Sequence, residues 1–381
     1  AGMISLRHGG ESLPETIGRY LGGNFKQFMR GFTVLLMVLV GAVFVAGPAG
    51  LLAKLTPEHL NLPFWATVVF AYYVLATLLP IDKIIGKIYP IFAIALIFMA
   101  AGILVMIFWH HPPLPELTDG LRNTHPEDLP LFPMMFVSIA CGAISGFHAT
   151  QSPMMARCMT NEKYGRPVFY GAMITEGIVA LVWAAAATYF FHSEQGTALF
   201  AAASGNDNAS VIVDSITREW LGPIGGLLAV LGVIAAPITS GDTAFRSARL
   251  IVADFLHVDQ RPILKRLAIS LPLFAAGYLI LHADFSVVWR YFAWCNQTLA
   301  VFTLWALSVY LVRERKPVLI ALVPALFMTA VCSTYLFIAG EGLDLPPTLS
   351  YVLGGCTTLL VFGLFLFWRK RSGAERPDGL R

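Results

Sequence analysis

One apolar stretch of this chain carries an unusual load of polar groups: Cys141-Gly142-Ala143-Ile144-Ser145-Gly146-Phe147-His148-Ala149-Thr150-Gln151-Ser152-Pro153. Two glycines four apart, a run of hydroxyl, imidazole and amide side chains, and a closing proline all weaken a helix. At membrane depth, broken backbone is tolerated only where it lines a cavity or is buried in protein. There the freed N–H and C=O groups, with side-chain donors beside them, can replace the water shell of a small anion or an ion. Gly142, Ser145, Gly146, His148, Gln151 and Ser152 are therefore the candidate substrate-binding residues. The competing reading is a GxxxG packing face with a satisfied histidine.

Two further sites could couple or gate. Glu176 stands in an apolar run, where a carboxylate is costly unless paired, protonated or hydrated, and so suits proton coupling or pairing with His148 or an arginine. Downstream, Thr239, Asp242, Arg246 and Arg249 are spaced three or four apart, which puts a hydroxyl, a carboxylate and two guanidiniums on one helix face. With Ser240 and Thr243, whose hydroxyls can ligate a cation, this stripe suits an ion site beside an inner gate. An ordinary juxtamembrane ion pair is the plainer alternative.

The elements that must position these groups follow from composition. Of 381 residues, 57% are hydrophobic and 13% charged, and the mean hydropathy is +0.69. A water-soluble fold has too little interior for so much apolar surface, so the bilayer is the solvent. About 20 apolar residues cross the hydrocarbon as a helix, and ten spans are expected, near 31–53, 63–80, 88–109, 132–152, 167–191, 222–242, 267–282, 286–311, 317–339 and 347–368. The expected organisation is a cytoplasmic N-terminal segment over 1–30, a transmembrane domain over 31–368 and a basic cytoplasmic tail over 369–381. His148 lies nine residues before Arg157, and Glu176 ten after Arg166; at about 1.5 Å per residue both fall near the bilayer middle.

Basic residues fix the expected orientation. With the N-terminus inside, all but Lys54, Arg122, Arg218 and Arg290 of the 26 Lys and Arg residues lie on the cytoplasmic side, as retention of positive charge requires. Both termini of the chain are then cytoplasmic, and the net charge of +3 is an orientation signal rather than a nucleic-acid footprint. Two longer outer loops, Pro112 to Leu131 and Gly196 to Leu221, can cover an entrance, and Ala209 to Trp220 is amphipathic enough to lie on the membrane surface. Asp82, Lys83, Arg290 and the pair Asn296-Gln297 carry less weight; the two amides read as interhelical glue. Five cysteines without a CxxC pair indicate neither a disulfide framework nor a metal site, and no cofactor is expected beyond H+ or Na+ as a coupling ion.

An ATP-driven pump needs a P-loop, which the sequence lacks, so transport is downhill or ion-coupled, and broken helices suit alternating access better than a channel. Two rival functions are a nutrient-sensing receptor without transport and an intramembrane serine hydrolase built on Ser145 and His148. The second needs a base about 3 Å from the nucleophile and an oxyanion hole, whereas a helix points residues 145 and 148 near one another without facing them.

The segment Ala140 to His148 strongly resembles the central motif of the carbon starvation protein A family, and its continuation Ala149 to Cys158 is similar to that of the family's shorter members. The Asp242-Thr243-x-x-Arg246-x-x-Arg249 stripe and Met3-Ile4-Ser5-Leu6-Arg7-His8-Gly9-Gly10-Glu11-Ser12-Leu13-Pro14-Glu15 match as well. The resemblance implies an all-helical, LeuT-like inner-membrane transporter of the amino acid, polyamine and organocation superfamily, taking up peptides or, in some members, pyruvate with protons, during nutrient shortage. Similar proteins carry further spans before the Met3 motif, so the expectation is two five-span inverted repeats of which this chain holds the third to twelfth spans. Small-molecule substrate and lipid bilayer are the expected partners.

Overall fold

Every regular element in the described part of the computed structural model is helical. It describes residues 1–78, 82–111, 129–192 and 209–374, with 116, 118 and 123 between them; the side chains of 82–89, 141, 143, 191–192, 209–211, 229–230, 233 and 372–374 lie outside the description. In chain order the helices are α1 (Gly2–Arg7), α2 (Leu13–Leu21), α3 (Gly23–Leu55), α4 (Leu62–Leu78), α5 (Asp82–His110), α6 (Leu131–Ala143), α7 (Gly146–Cys158), α8 (Ala172–His192), α9 (Ala209–Ala229), α10 (Ala235–Leu256), α11 (Ile263–Ile280), α12 (Phe285–Arg313), α13 (Leu319–Ile338) and α14 (Pro347–Ala374). A π-helical turn, Arg166–Gly171, precedes α8 and another, Val230–Ile234, precedes α10.

Seven helices among the described residues are long and apolar enough to cross a membrane; Leu62–Leu78 and Leu131–Ala140 are apolar but shorter. The difference from the ten expected spans has local causes. The fourth expected span is two helices, because the chain turns non-helical between Ala143 and Gly146. The sixth starts at a kink, Gly222 at φ 61°, and is interrupted by the π turn Val230–Ile234. Phe98, Leu181, Leu279 and Leu359 stand 67–72% exposed, far more apolar surface than water tolerates on one chain, and lipid is its solvent.

The chain divides into two compact units. The first comprises Ala1–Phe32, Asn123–Thr160 and Arg290–Arg381. In it, α13 packs on both α14 and α6, and α1 packs on α7. The expected N-terminal segment is thus two helices with a buried side, Ile4 and Leu13 and Ile17. The motif Met3 to Glu15 explains how it docks. Ser5 Oγ donates to the Glu11 carbonyl, and Arg157 Nε at the end of α7 donates to the Gly10 carbonyl, both at 2.8 Å. Gly10 has φ +81°, and a Cβ there would stand 2.5 Å from Arg157 Cγ, so only glycine allows this approach.

The second unit comprises Thr33–Arg122 and Asn161–Trp289. One core joins α3, α4, α10 and α11 around Phe70, Tyr73, Phe245 and Phe274, whose rings meet at centroid distances of 5.0–6.4 Å. A second core joins α5, α8 and α9 through Met99, Ile103, Val182, Ala186, Ile216 and Trp220. The amphipathic stretch ending at Trp220 therefore has protein against its apolar side: Ile216 and Trp220 are buried on α5 and α8. Most of the Pro112 to Leu131 loop, and the residues from 196 to 208, lie outside the described residues.

Candidate functional site

The break between α6 and α7 sits where the sequence places it. Ile144 (φ −136°, ψ 84°) caps α6 and Ser145 (φ −103°, ψ 126°) precedes α7. A helix start leaves its first four N–H groups without intrahelical acceptors. The Ser145 side chain does not cap its own helix; Asn296, from the middle of α12, does so instead. Its Oδ1 accepts the Phe147 N–H at 2.7 Å and the Ser145 hydroxyl at 3.2 Å, and its Nδ2 donates to Ser145 Oγ at 3.2 Å.

Gly146 makes this contact possible. A Cβ there would lie 2.4 Å from the Asn296 carbonyl oxygen and 2.6 Å from Leu299 Cβ. At Gly142 an added Cβ meets nothing within 4 Å among the described residues. The two glycines thus divide the roles that a GxxxG pair would share. Gly146 admits α12, while Gly142 has room for a side chain among the described residues.

The remaining expected ligands lie on the first turns of α7. His148, Gln151 and Ser152 are half-buried. Ser152 Oγ donates to the His148 carbonyl at 2.7 Å, and Thr150 Oγ1 to that of Phe147 at 2.6 Å, so these hydroxyls keep only their lone pairs for another group. Pro153, inside α7, supplies no N–H for the carbonyl four residues back, at Ala149. The Ser145 hydroxyl is held by an amide, which is no general base, and the serine hydrolase arrangement is not built here.

The stripe on α10 forms as its spacing requires. Arg246 donates to Asp242 at 2.9 Å, with Asp242 buried. Thr239 Oγ1 donates to the Ala236 carbonyl at 2.8 Å, and Thr243 Oγ1 to that of Thr239 at 2.9 Å. Their protons are therefore spent on the helix, and Ser240 stands half-buried between them. Tyr73, from α4, adds a contact absent from the sequence reading. Its hydroxyl donates to the Ile238 carbonyl at 3.0 Å, and Gly241 admits it, since a Cβ there would lie 2.2 Å from that oxygen. Glu176 is half-buried on α8, whose main neighbours are α5 and α9, whereas α10 packs on α4 and α11; these contacts do not bring Glu176 to the stripe.

Sequence reasoning missed Asn296 and Tyr73. The first had a signal: two adjacent amides in the middle of an otherwise apolar span. Tyr73 had none, being one aromatic in an apolar run.

Apolar helices, lipid-exposed side chains and one span broken at polar residues define a polytopic helical membrane protein. A family model described as carbon starvation protein CstA matches residues 52–225. An uncharacterised membrane protein of Haemophilus influenzae is 37% identical over 244 residues, 51% of this chain and 66% of that one. The peptide transporter CstA of Escherichia coli is 28% identical over 338 residues, 70% of this chain and 46% of that protein. The pyruvate/proton symporter BtsT of Escherichia coli is 33% identical over 160 residues, 41% of this chain and 18% of that protein. The chain belongs to the carbon starvation protein CstA family, and it spans less than half the length of either named transporter.

Proposed function

We propose that this chain forms part of an inner-membrane secondary transporter that takes up small carbon sources, peptides or pyruvate-like carboxylates, coupled to protons, during carbon starvation. The observation that carries the reading is the broken α6–α7 helix, whose break is held by Asn296, in a family whose named relatives are transporters. Helix ends of this kind, with peptide dipoles aimed at one place, suit a carboxylate without a cofactor. In this reading the end of α6 at Gly142, the α7 start at Gly146, and His148, Gln151 and Ser152 contact substrate. Ser145 positions the break through Asn296.

Glu176 or His148 carries the coupling proton, and Thr239, Ser240, Asp242, Thr243 and Arg246 form an ion-linked or gating contact. The architecture proposed is LeuT-like, with ten spans in this chain and both its ends cytoplasmic. Uptake of labelled pyruvate and labelled tripeptide into proteoliposomes holding the intact protein, under an imposed proton gradient, tests it. Gradient-driven accumulation of either, lost in Glu176→Gln, is the expected result. No accumulation by correctly inserted protein, with or without sodium, rejects both substrates and favours the receptor.

A further inference from the structure

Within the first unit, α12, α13 and α14, with Tyr20 from α2 and Phe25 from α3, border a cavity of about 600 Å3. Its lining follows α12 from Trp294 to Val309. That is a length of about 22 Å at 1.5 Å per residue, whereas a compact cavity of the same volume would be about 10 Å across. The cavity is therefore long and narrow.

The polar atoms of its walls are turned toward the protein. Trp294 Nε1 donates to the Cys332 carbonyl and Trp305 Nε1 to Thr329 Oγ1, both at 3.0 Å. The hydroxyls of Thr329, Ser333 and Thr357 donate to carbonyls of their own helices at 2.6–2.8 Å, and that of Thr298 adjoins the Cys332 thiol. A buried water needs about two to four polar partners, and these walls offer few, so the cavity suits an apolar occupant. Phe25 and Leu364, which line it, are also 45% and 60% exposed, so it is reached from the apolar surface that faces lipid.

One end is different. Tyr20 and Trp368 line it, and the Arg313 guanidinium lies over both rings, 5.4 and 6.0 Å from their centroids. Arg313 closes α12, and Arg369 and Lys370 follow Trp368 on α14. All three basic residues are exposed, as is Glu314 beside them. Tryptophan, tyrosine and arginine are the side chains of the membrane interface, the level at which a lipid carries its phosphate above its chains.

We infer that this cavity holds one acyl chain of an anionic phospholipid, whose phosphate meets Arg313. The elongated, donor-poor walls select a hydrocarbon chain, and the arginine at one end selects the charge. The inference stands apart from the transport reading, because its test measures no uptake.

The experiment uses the intact protein, purified in neutral detergent, and native mass spectrometry with phosphatidylglycerol against phosphatidylcholine of the same chains. The wild type should retain phosphatidylglycerol in preference. Arg313→Gln, at an exposed position, should lower that preference about fivefold, with Arg313→Lys keeping most of it. Val361→Trp puts a ring into the cavity and should displace both lipids. Should that variant fail to fold, chain-brominated lipids supply the second measurement. Trp294 and Trp305 wall the cavity, so brominated phosphatidylglycerol should quench their fluorescence more than brominated phosphatidylcholine at equal mole fraction.

Equal retention of the two lipids by the wild type, or retention of neither, would overturn the proposal, as would equal quenching. A preference for phosphatidylglycerol that Arg313→Gln and Val361→Trp leave unchanged would also overturn it, by placing the lipid elsewhere on the protein. A dimer lost in Val361→Trp would do the same, by giving the cavity to a second copy of the chain.

Discussion

Replacing Asn296 by alanine isolates what holds the break in α6–α7. Asn296 is fully buried, and its side chain satisfies the Phe147 N–H and the Ser145 hydroxyl. Alanine leaves both without that partner, and a buried donor stripped of its acceptor costs about 1–3 kcal/mol. The serine hydroxyl can rotate toward another acceptor, whereas the backbone N–H cannot. The expected loss is therefore about 2–4 kcal/mol, most of it from Phe147. Ser145→Ala alone should cost about 1 kcal/mol, and much less in an Asn296→Ala background, because the two deletions remove one shared interaction.

Cys295 and Cys332 are 3% and 6% exposed, so once the exposed Cys158 and Cys356, and Cys141, are replaced by serine, a thiol-reactive dye that fluoresces on reaction follows unfolding. Gln297→Leu is the control. The neighbouring amide is also fully buried, yet neither of its polar atoms has a hydrogen-bond partner among the described residues, so an apolar side chain of similar size should be neutral or stabilising. An Asn296→Ala protein that unfolds at the wild-type midpoint, or a Gln297→Leu protein that loses more stability than Asn296→Ala, would refute the capping argument.

Gly146→Ala should be at least as damaging as Asn296→Ala, since its Cβ meets a backbone carbonyl and Leu299 Cβ and neither can rotate away; expression and the dye midpoint report it, and Gly142→Ala should leave the midpoint unchanged. Tyr73→Phe removes the bond to the Ile238 carbonyl at about 1 kcal/mol and should not alter the size of the core, which denaturation in mixed micelles can resolve. Burial pushes the Glu15 carboxyl up, but its bonds to Lys26 and Arg30 outweigh that and hold it below 4.5. A carboxylate with a depressed folded value stabilises at higher pH and loses that contribution as pH falls through the folded value. The stability gap between wild type and Glu15→Gln should therefore be constant above about pH 5 and close below pH 4.5.

Helicity, membrane residence and the place of the break were legible because each rests on local chemistry. Long apolar runs leave a chain no solvent but lipid, and Gly142 to Pro153 puts helix-weakening residues side by side. The α10 stripe was legible for the same reason, as residues three or four apart must share a face. What the break requires was not legible. Asn296 lies 151 positions from Ser145, and nothing local distinguishes an amide that caps a broken helix from one that joins two intact ones. Gly142 and Gly146 look equivalent in sequence, and only the position of α12 separates them. Ala209 to Trp220 was amphipathic as expected, but amphipathicity does not say whether lipid or protein covers the apolar face, and here α5 and α8 do.

Substrate held at the α6–α7 break should shield a thiol placed beside it. Ser152→Cys in the intact, reconstituted protein places a thiol beside the break, and its rate of reaction with a small maleimide can be followed with and without substrate in a variant whose other reactive cysteines are replaced. Slower labelling at saturating concentrations of whichever of pyruvate or tripeptide the protein transports, with no change at a Cys substituted for Thr188 on α8, is the predicted result. An unchanged rate at residue 152 during demonstrated uptake would contradict the claim.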